Sequence, residues 1–538
     1  MMRLALPALT AALMFLVLTL PNHPDWLKPQ SMTVFPLELP VVLLGILALG
    51  RSWWLPAVLS ALFVIILAMK LADIGMFIAY DRTFDPVLDF FLIEAGLSLL
   101  RDSVGMFQTI AISVALLVGL AGLFLVLHLG LRSWSFFDVP RWARVASGTI
   151  AAGFLVLCIA DVGERLDHWA LEKSAPGTAW TSWLVVKRVV DVRETTQNLA
   201  VFTKDAAEDP YANTGGLLDA IGDRDVLIIF VESYGRASFD NPLYSQTHLT
   251  TLRAGEAALA DAGFETRSGW LTSPTAGGQS WLAHGALSSG LWTSDHGRYS
   301  AMLASGRKTL FHLAQSAGFR TNAVMPAITL SWPESALMGF DQVFPAVDIP
   351  YKGERFNWVT MPDQFTLSAY EALLGEDPRR DFTQIALISS HAPWVPILPI
   401  ISWAEVGDGA IYSQWANQGP TPQEVWRDQD RVRDLYRQSI DYALKVTLDH
   451  LVSLGAEAPL ILLLGDHQPA GFVAQVPSDD VAAHLIAPQE VMARVDHWGW
   501  TPGLIPEDDA PVWRMDAFRD KFIAAFTSQT PENLEAGG

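Results

Sequence analysis

The 538-residue chain contains a single cysteine, Cys158, so it can close no disulfide within itself, and cysteine usage decides nothing about its redox compartment. Basic residues are also in short supply: 36 Lys and Arg stand against 57 Asp and Glu, for a net charge of -21. That balance argues against a polybasic nucleic-acid binder, whose affinity rests on neutralising phosphates. No long apolar run occurs after about residue 165, and no internal repeat or low-complexity tract occurs anywhere. The final segment 528–538, "SQTPENLEAGG", has nothing to bury and reads as a flexible tail.

Apolar residues are not lacking overall, at 51% of the chain, and the excess lies at one end. Residues 4–20, 33–49, 54–76, 107–130 and 144–160 are apolar runs, each near the ~20 residues that cross a bilayer core as helix. They predict a five-helix transmembrane domain over residues 1–165. The first run follows Arg3 but leads into "PNHPDW", which has no small-residue cleavage pattern, so it reads as a retained signal anchor. With that topology Arg3, Arg51, Arg132, Arg141 and Arg144 fall on one side, and Lys28, Arg82 and Arg101 on the other. The larger basic set belongs in the cytoplasm, which puts the C-terminal part on the external, periplasmic side of an inner membrane.

Charged residues at the edge of the third run, Lys70, Asp73, Arg82, Asp85 and Asp89, have two readings. They are ion pairs that fix the bundle, or a contact surface for lipid headgroups, because unpaired charge at that depth is expensive. Residues 178–202, "TAWTSWLVVKRVVDVRETTQNLAVF", place tryptophans beside Lys187, Arg188 and Arg193, which suits a helix lying on a membrane surface. With the polar "KDAAEDPYANTGG" it makes residues 166–222 an interfacial helix and linker, and strands alternate with helices over 223–527.

Three apolar runs in that last stretch read as buried strands: 225–232 "DVLIIFVE", 385–391 "IALISSH" and 459–467 "PLILLLGDH". Each ends in a group that binds metal or moves protons, namely Glu232, His391, and Asp466 with His467. Parallel strands gather functional residues beyond their carboxyl ends, so three such endings predict one shared site. Two carboxylates and an imidazole suit one divalent ion of the manganese or zinc kind, with a fourth ligand still to be supplied. Ser280, after Gly277 and Gly278 in "TAGGQSWLAHGAL", is a candidate for that ligand and for an activated nucleophile. The same local pattern equally describes a helix N-cap.

The segments "FVES", the Gly-rich Ser280 stretch, "SSHAPW" and "LLGDHQP" resemble, in residue type and order, the alkaline phosphatase superfamily. Within it they resemble the membrane-bound sulfatase-like branch of lipoteichoic acid synthases, phosphoglycerol transferases and phosphoethanolamine transferases. The resemblance implies an α/β/α sandwich behind the transmembrane bundle, with Glu232, Ser280, Asp466 and His467 as metal ligands, Ser280 as nucleophile and His391 as acid-base or substrate residue. Ser280 is followed by "WLAHG" without the Pro and Arg of a formylglycine site, which argues against sulfate ester hydrolysis. Residues 323–344 carry Met325 or Pro326 and Glu334 where lipoteichoic acid synthases have a His and an Arg for glycerophosphate.

Substrate contact is expected from His284, one helical turn after Ser280, and from Arg298, Trp332, Glu334, Asn357 and Asp363 in polar, aromatic stretches. His484 resembles a late family histidine near the substrate. The implied activity is transfer of a phosphoglycerol- or phosphoethanolamine-type substituent from a membrane phospholipid to an envelope glycan or lipid through a phospho-serine. A hydrolase would use the same residues with water as acceptor. A catalytically silent glycan binder would show a degenerate metal set, whereas all four positions here are filled.

Overall fold

The computed structural model describes the chain apart from residues 1, 29–32, 81, 91, 94–95, 98–99, 102–104, 167, 171–174, 213, 330–331, 333, 456–457 and 529–538. Contacts divide it into two compact units, Met1–Asn198 and Leu199–Gly538. Of the expected tail, Ser528 alone is described, and its amide donates to Asp219 Oδ1 at 2.8 Å; the rest lies outside the described residues.

The first unit is helical. Among the described residues three helices are long and apolar enough to cross a membrane: Leu55–Ile78, Met106–Ser135 and Arg141–Arg165. The other two expected runs are also helices, the shorter Met2–Thr19 and Glu38–Leu49. The latter has 12 residues. At ~1.5 Å per residue that is about 18 Å, short of a ~30 Å hydrocarbon core. Its run is cut because Pro36 pairs with Thr178 as an isolated bridge, so the first part of the apolar stretch is not helix.

The charged set at the edge of the third run is fully engaged within this unit. Lys70, with 0% exposure, donates through Nζ to the carbonyls of Val17 and Leu18, each at 3.0 Å, and to Thr181 Oγ1 at 2.9 Å. Carbonyls in the last turn of a helix have no intrahelical partner and carry the negative end of its dipole, so the ammonium suits them. Asp73 accepts both Arg188 Nη2 contacts, 2.7 and 2.9 Å, and the Asn22 amide at 2.9 Å. Arg82 forms a two-pronged pair with Asp89, at 2.7 and 2.6 Å, and Asp85 takes the Thr195 hydroxyl at 2.9 Å. The ion-pair reading therefore describes these contacts, several of them to the helix Trp180–Ala207 that covers the expected 178–202 segment.

In the second unit nine strands form one mixed sheet among the described residues. They are β1 Val226–Val231, β2 Glu265–Thr272, β3 Arg320–Met325, β4 Gln342–Pro345, β5 Asp381–Ala386, β6 Leu460–Gly465, β7 Asp480–Ala487, β8 Thr501–Pro502 and β9 Val512–Arg514. The order is β4-β3-β5-β1-β6-β7-β2-β8, with β9 beside β2. β1 lies parallel between β5 and β6, while β7 runs antiparallel to both β6 and β2. In "VLIIFV" every residue is buried, and alternate side chains enter opposite cores: Leu227, Ile229 and Val231 on one face, Val226, Ile228 and Phe230 on the other. Helices Pro242–Asp261, Asp363–Leu374 and Gln429–Leu454 contribute to the first core, and Ser280–Ser289, Leu310–Ser316 and Ala517–Ala525 to the second, giving the α/β/α sandwich.

Gln429–Leu454 shows why such helices form. Asp428 caps it by accepting from the amides of Asp430 and Arg431, Val432, Tyr436, Ser439, Ala443 and Thr447 bury one face, and Gly455 ends it at φ 68°. The strand expected at 385–391 pairs instead over 381–386. Beyond it the Asp363 carboxylate draws the amides of Ile388 (2.8 Å) and Ser389 (2.9 Å) away from the ladder, so His391 stands on a loop.

Gly465 marks the tightest point at these strand ends, since a Cβ there would lie 1.8 Å from the Tyr234 carbonyl oxygen. Gly465→Ala must displace backbone, an overpacking cost of about 3 kcal/mol. The expected result is a lowered melting temperature of the second unit, checked by thermal unfolding of the full chain; an unchanged midpoint would contradict the close approach.

Candidate active site

The parallel arrangement of β1 and β6 sets Glu232, just after one strand, beside Asp466 and His467, just after the other. One ligand atom from each of the three lies within 4.8 Å of the others, and all three residues are buried. Local hydrogen bonds aim them. Asp466 Oδ1 accepts the amides of Ser233 (2.8 Å) and His467 (2.7 Å). His467 Nδ1 donates to the Gln468 carbonyl at 2.8 Å, which fixes the tautomer and turns Nε2 toward the carboxylates, 3.4 Å from Glu232 and 3.7 Å from Asp466.

Ser280 completes the group. Its Oγ is 3.2 Å from Glu232 Oε2 and 3.3 Å from His467 Nε2. It begins the helix Ser280–Ser289, and the capping position belongs to Gln279, whose side chain makes no cap bond. The N-cap alternative is thereby corrected: the hydroxyl points to the carboxylate and imidazole. Gly277 (φ 73°), Gly278 (φ 142°) and Gln279 (φ 64°) turn the chain through left-handed conformations into the helix, and Gly277 N–H is held by Gln468 O at 2.8 Å. A helix start presents amides without intrahelical partners, which suits an anion.

Burial and mutual charge shift all three groups from their ordinary ranges. Burial raises the Glu232 carboxyl, but the His467 charge and hydrogen bond outweigh it and hold the group below the usual range. Asp466 is shifted the other way, by burial and then by the Glu232 charge. Burial works against a proton on His467, yet Asp466 and Glu232 push it up to about 9. Two carboxylates, a hydroxyl and an imidazole whose Nε2 faces inward, and becomes a donor once its proton is lost, make a hard, mixed O/N set that fits a divalent ion.

The other expected residues divide into those near this cluster and those elsewhere. His284 is 7% exposed, stacks on Phe230 with ring centroids 4.0 Å apart, and leaves Nε2 without a partner. Burial pushes it down to about 3, so it is neutral, and it feels the charges of Glu232 and His467. His391 is half-buried, donates through Nδ1 to Ala392 O at 2.6 Å, packs edge-on to Trp358 and bears on the Glu232 carboxylate. Asp363 is fully buried, its carboxyl pushed up to about 6 by burial, and its bonds to Ile388 and Ser389 make it the anchor of the His391 loop.

Arg298 pairs with Asp295 at 3.5 Å and lies over the Phe202 ring. Trp332 packs against Phe340, Glu334 is exposed ahead of the short helix Ser335–Met338, and exposed Asn357 donates to Val395 O at 2.8 Å. None of these four makes a contact with the Glu232 cluster among the described residues. His484 requires a correction. It sits within β7 at 0% exposure, takes the Tyr234 hydroxyl on Nε2 (3.1 Å) and donates from Nδ1 to Ser268 Oγ (2.7 Å), whose proton goes to Gly503 O. With both nitrogens committed inside the sheet, it is a core histidine and not a substrate contact.

Supporting residues were invisible to motif reading. Ser233, at φ 59°, gives its amide to Asp466 and its hydroxyl to Glu232 Oε1 at 3.0 Å, and Ser390 Oγ donates to Glu232 O at 2.6 Å. Both lie inside the quoted "FVES" and "SSHAPW" segments, but only the fold shows what they hold.

Because His467 is raised from 6.5 to about 9 in the ion-free protein, it carries a proton at neutral pH that a metal ion must displace. Affinity for zinc or manganese should therefore rise about tenfold per pH unit from 7 to 9, more steeply below 7 where Asp466 also holds a proton, and level off above 9, with proton release on binding. Competition with a chromophoric chelator across pH 6–10 measures this; an affinity flat in pH would contradict it.

The Sulfatase family model matches residues 224–484. No curated protein matches the chain in sequence. Among solved structures, the integral membrane protein lipooligosaccharide phosphoethanolamine transferase A (EptA) from Neisseria meningitidis is 13% identical, with 98% of this chain and 97% of that one covered at a TM-score of 0.50, which is a likeness of fold. The lipoteichoic acid synthase LtaP from Listeria monocytogenes aligns at 12% identity over 61% of this chain and 78% of its own, TM-score 0.36. Streptococcus pyogenes phosphoglycerol transferase GacH, solved with sn-glycerol-1-phosphate, aligns at 14% identity over 63% and 82%, TM-score 0.39. The family match, on a mixed sheet carried behind a helical unit, identifies residues 224–484 as a sulfatase-like enzyme domain of the alkaline phosphatase superfamily.

Proposed function

We propose that the chain is a membrane-anchored, metal-dependent transferase. It moves a phosphoglycerol- or phosphoethanolamine-type substituent from a phospholipid to an envelope glycan or lipid at the periplasmic face of the inner membrane. The observation that carries this reading is the Ser280 hydroxyl lying 3.2 Å from Glu232 and 3.3 Å from His467 at a helix start. The likeness of fold to the phosphoethanolamine transferase EptA accords with it, as do the helices long enough to span a bilayer.

Glu232, Asp466, His467 and Ser280 Oγ would hold one divalent ion, whose charge favours the serine alkoxide and offsets phosphate charge. Ser280 Oγ forms a bond to phosphorus while the bond from phosphorus to the diacylglycerol oxygen breaks, leaving the headgroup phosphate on the serine. Amides at the start of the Ser280 helix face the added negative charge. His391, held by Ala392 O through Nδ1, has Nε2 left to protonate the departing alcohol and then to take the proton of the acceptor hydroxyl as it attacks phosphorus and frees Ser280.

Incubation with phospholipid labelled in its headgroup, followed by intact-mass measurement, tests the scheme. Wild type should gain one headgroup-phosphate adduct and pass label to a hydroxylated acceptor. Ser280→Ala should lose the adduct and at least about a thousandfold in turnover. An adduct that survives in the alanine variant removes Ser280 as nucleophile, and label appearing only as free water-soluble headgroup phosphate assigns a hydrolase instead.

A further inference from the structure

Where the helix Glu38–Leu49 ends, four arginines gather with no carboxylate partner among the described residues. Arg51 follows that helix, Arg132 lies in the last turn of Met106–Ser135, and Arg141 and Arg144 open Arg141–Arg165. One ring serves two of them: the guanidinium carbons of Arg51 and Arg132 stand 5.1 and 5.7 Å from the Phe136 centroid. Arg144 reaches Gly50, the neighbour of Arg51, so closely that a Cβ there would lie 3.3 Å from its Nη1. We infer that this patch binds the headgroup of an anionic phospholipid with two phosphodiesters, one at Arg51 and Arg132 and the other at Arg141 and Arg144.

Nothing within the unit offsets these charges. Guanidiniums stay protonated at any working pH. Asp138 is the one acid in the segments 50–55 and 131–145 that carry them, and it is exposed and makes no ion pair among the described residues. Arg144 is unspent, and even its buried Nε lacks a partner. The helix that Arg141 and Arg144 open adds to the demand. Pro140 gives it no side-chain cap and no acid stands in its first turn, so the positive end of the dipole faces two like charges.

The arrangement selects the ligand. Contact with an aromatic ring orients a guanidinium and leaves its in-plane N–H donors free, a fork that matches phosphate oxygens. Arg51 and Arg132 are paired by Phe136, and Arg141 and Arg144 by their spacing of one helical turn. A headgroup with one phosphate leaves one of the pairs unmet, whereas two phosphodiesters satisfy both. Exposed Trp53, Trp54 and Trp142 lie within three residues of these arginines, as indoles do at headgroup level. Exposed apolar residues such as Val156 and Leu125 continue along the same two membrane-length helices and accommodate acyl chains, which favours a lipid over a free polyphosphate.

The binding stands on this patch and is independent of the transferase reading. The test is native mass spectrometry of the full chain released from micelles containing equal diphosphatidylglycerol and phosphatidylglycerol, both with oleoyl chains. Wild type should retain the two-phosphate lipid over the one-phosphate lipid about tenfold, the effect of a second arginine pair meeting a second phosphate. Arg51→Gln combined with Arg132→Gln should bring the ratio close to parity, and Arg141→Gln alone should lower it to about threefold. All three side chains are exposed, so these variants should fold. Arg193→Gln, which removes an exposed arginine from the helix Trp180–Ala207, should keep the full preference. No preference in wild type, or an undiminished one in both patch variants, overturns the inference. A loss in Arg193→Gln equal to that in Arg141→Gln also overturns it, since general charge attraction then accounts for the binding. Displacement by millimolar pyrophosphate overturns the assignment to a lipid.

Discussion

Two buried carboxylates at the ends of neighbouring parallel strands are the constraint around which the second unit is arranged. Glu232 is 8% exposed and Asp466 2%, and like charges so close and so dry need a positive partner, which the His467 imidazole supplies when protonated. The central position of β1 brings them together, since each side of that strand has a parallel neighbour whose chain leaves at the same edge. Everything nearby then serves the same electrostatic need. Ser233 and His467 give amides to one carboxylate, the Gln468 carbonyl sets the imidazole, and the Ser280 helix sets a hydroxyl 3.2 Å from Glu232.

The first unit meets a similar demand by other means. The charges at the edge of its third run are neutralised by helix termini and by each other, with no need of an added ion: Lys70 on two carbonyls, Asp73 on Arg188, Arg82 on Asp89. Because Arg188 and Thr195 lie on the same helix, that helix is fixed by polar contacts along one side. The exposed apolar residues Val189, Val190 and Val201 belong to the same helix.

Much of this was legible in residue order. Runs such as "VLIIFV" and "LILLLG" are apolar at every position, a pattern that a two-face-buried parallel strand demands, and the acid or histidine after each announced the site. What composition could not convey was where a side chain spends its hydrogen bonds. His484 and His391 look alike as letters near strands, yet one is closed into the Tyr234–Ser268–Gly503 chain and the other stands on a loop. Helix bounds differ for a related reason: residues 33–49 are apolar throughout much of their length, but the bridge at Pro36 is a tertiary contact with Thr178, and no hydropathy window registers it. Asp363 was singled out for a substrate role from its polar surroundings, whereas its position in space makes it the hinge pin of the His391 loop.

The Lys70 ammonium also ties together segments far apart in the chain. Two of its three acceptors, the carbonyls of Val17 and Leu18, precede it in the chain by 53 and 52 residues, whereas Thr181 follows by 111. Losing the first helix would take away two of the ammonium's three acceptors and leave a charge in the interior of the unit with Thr181 alone.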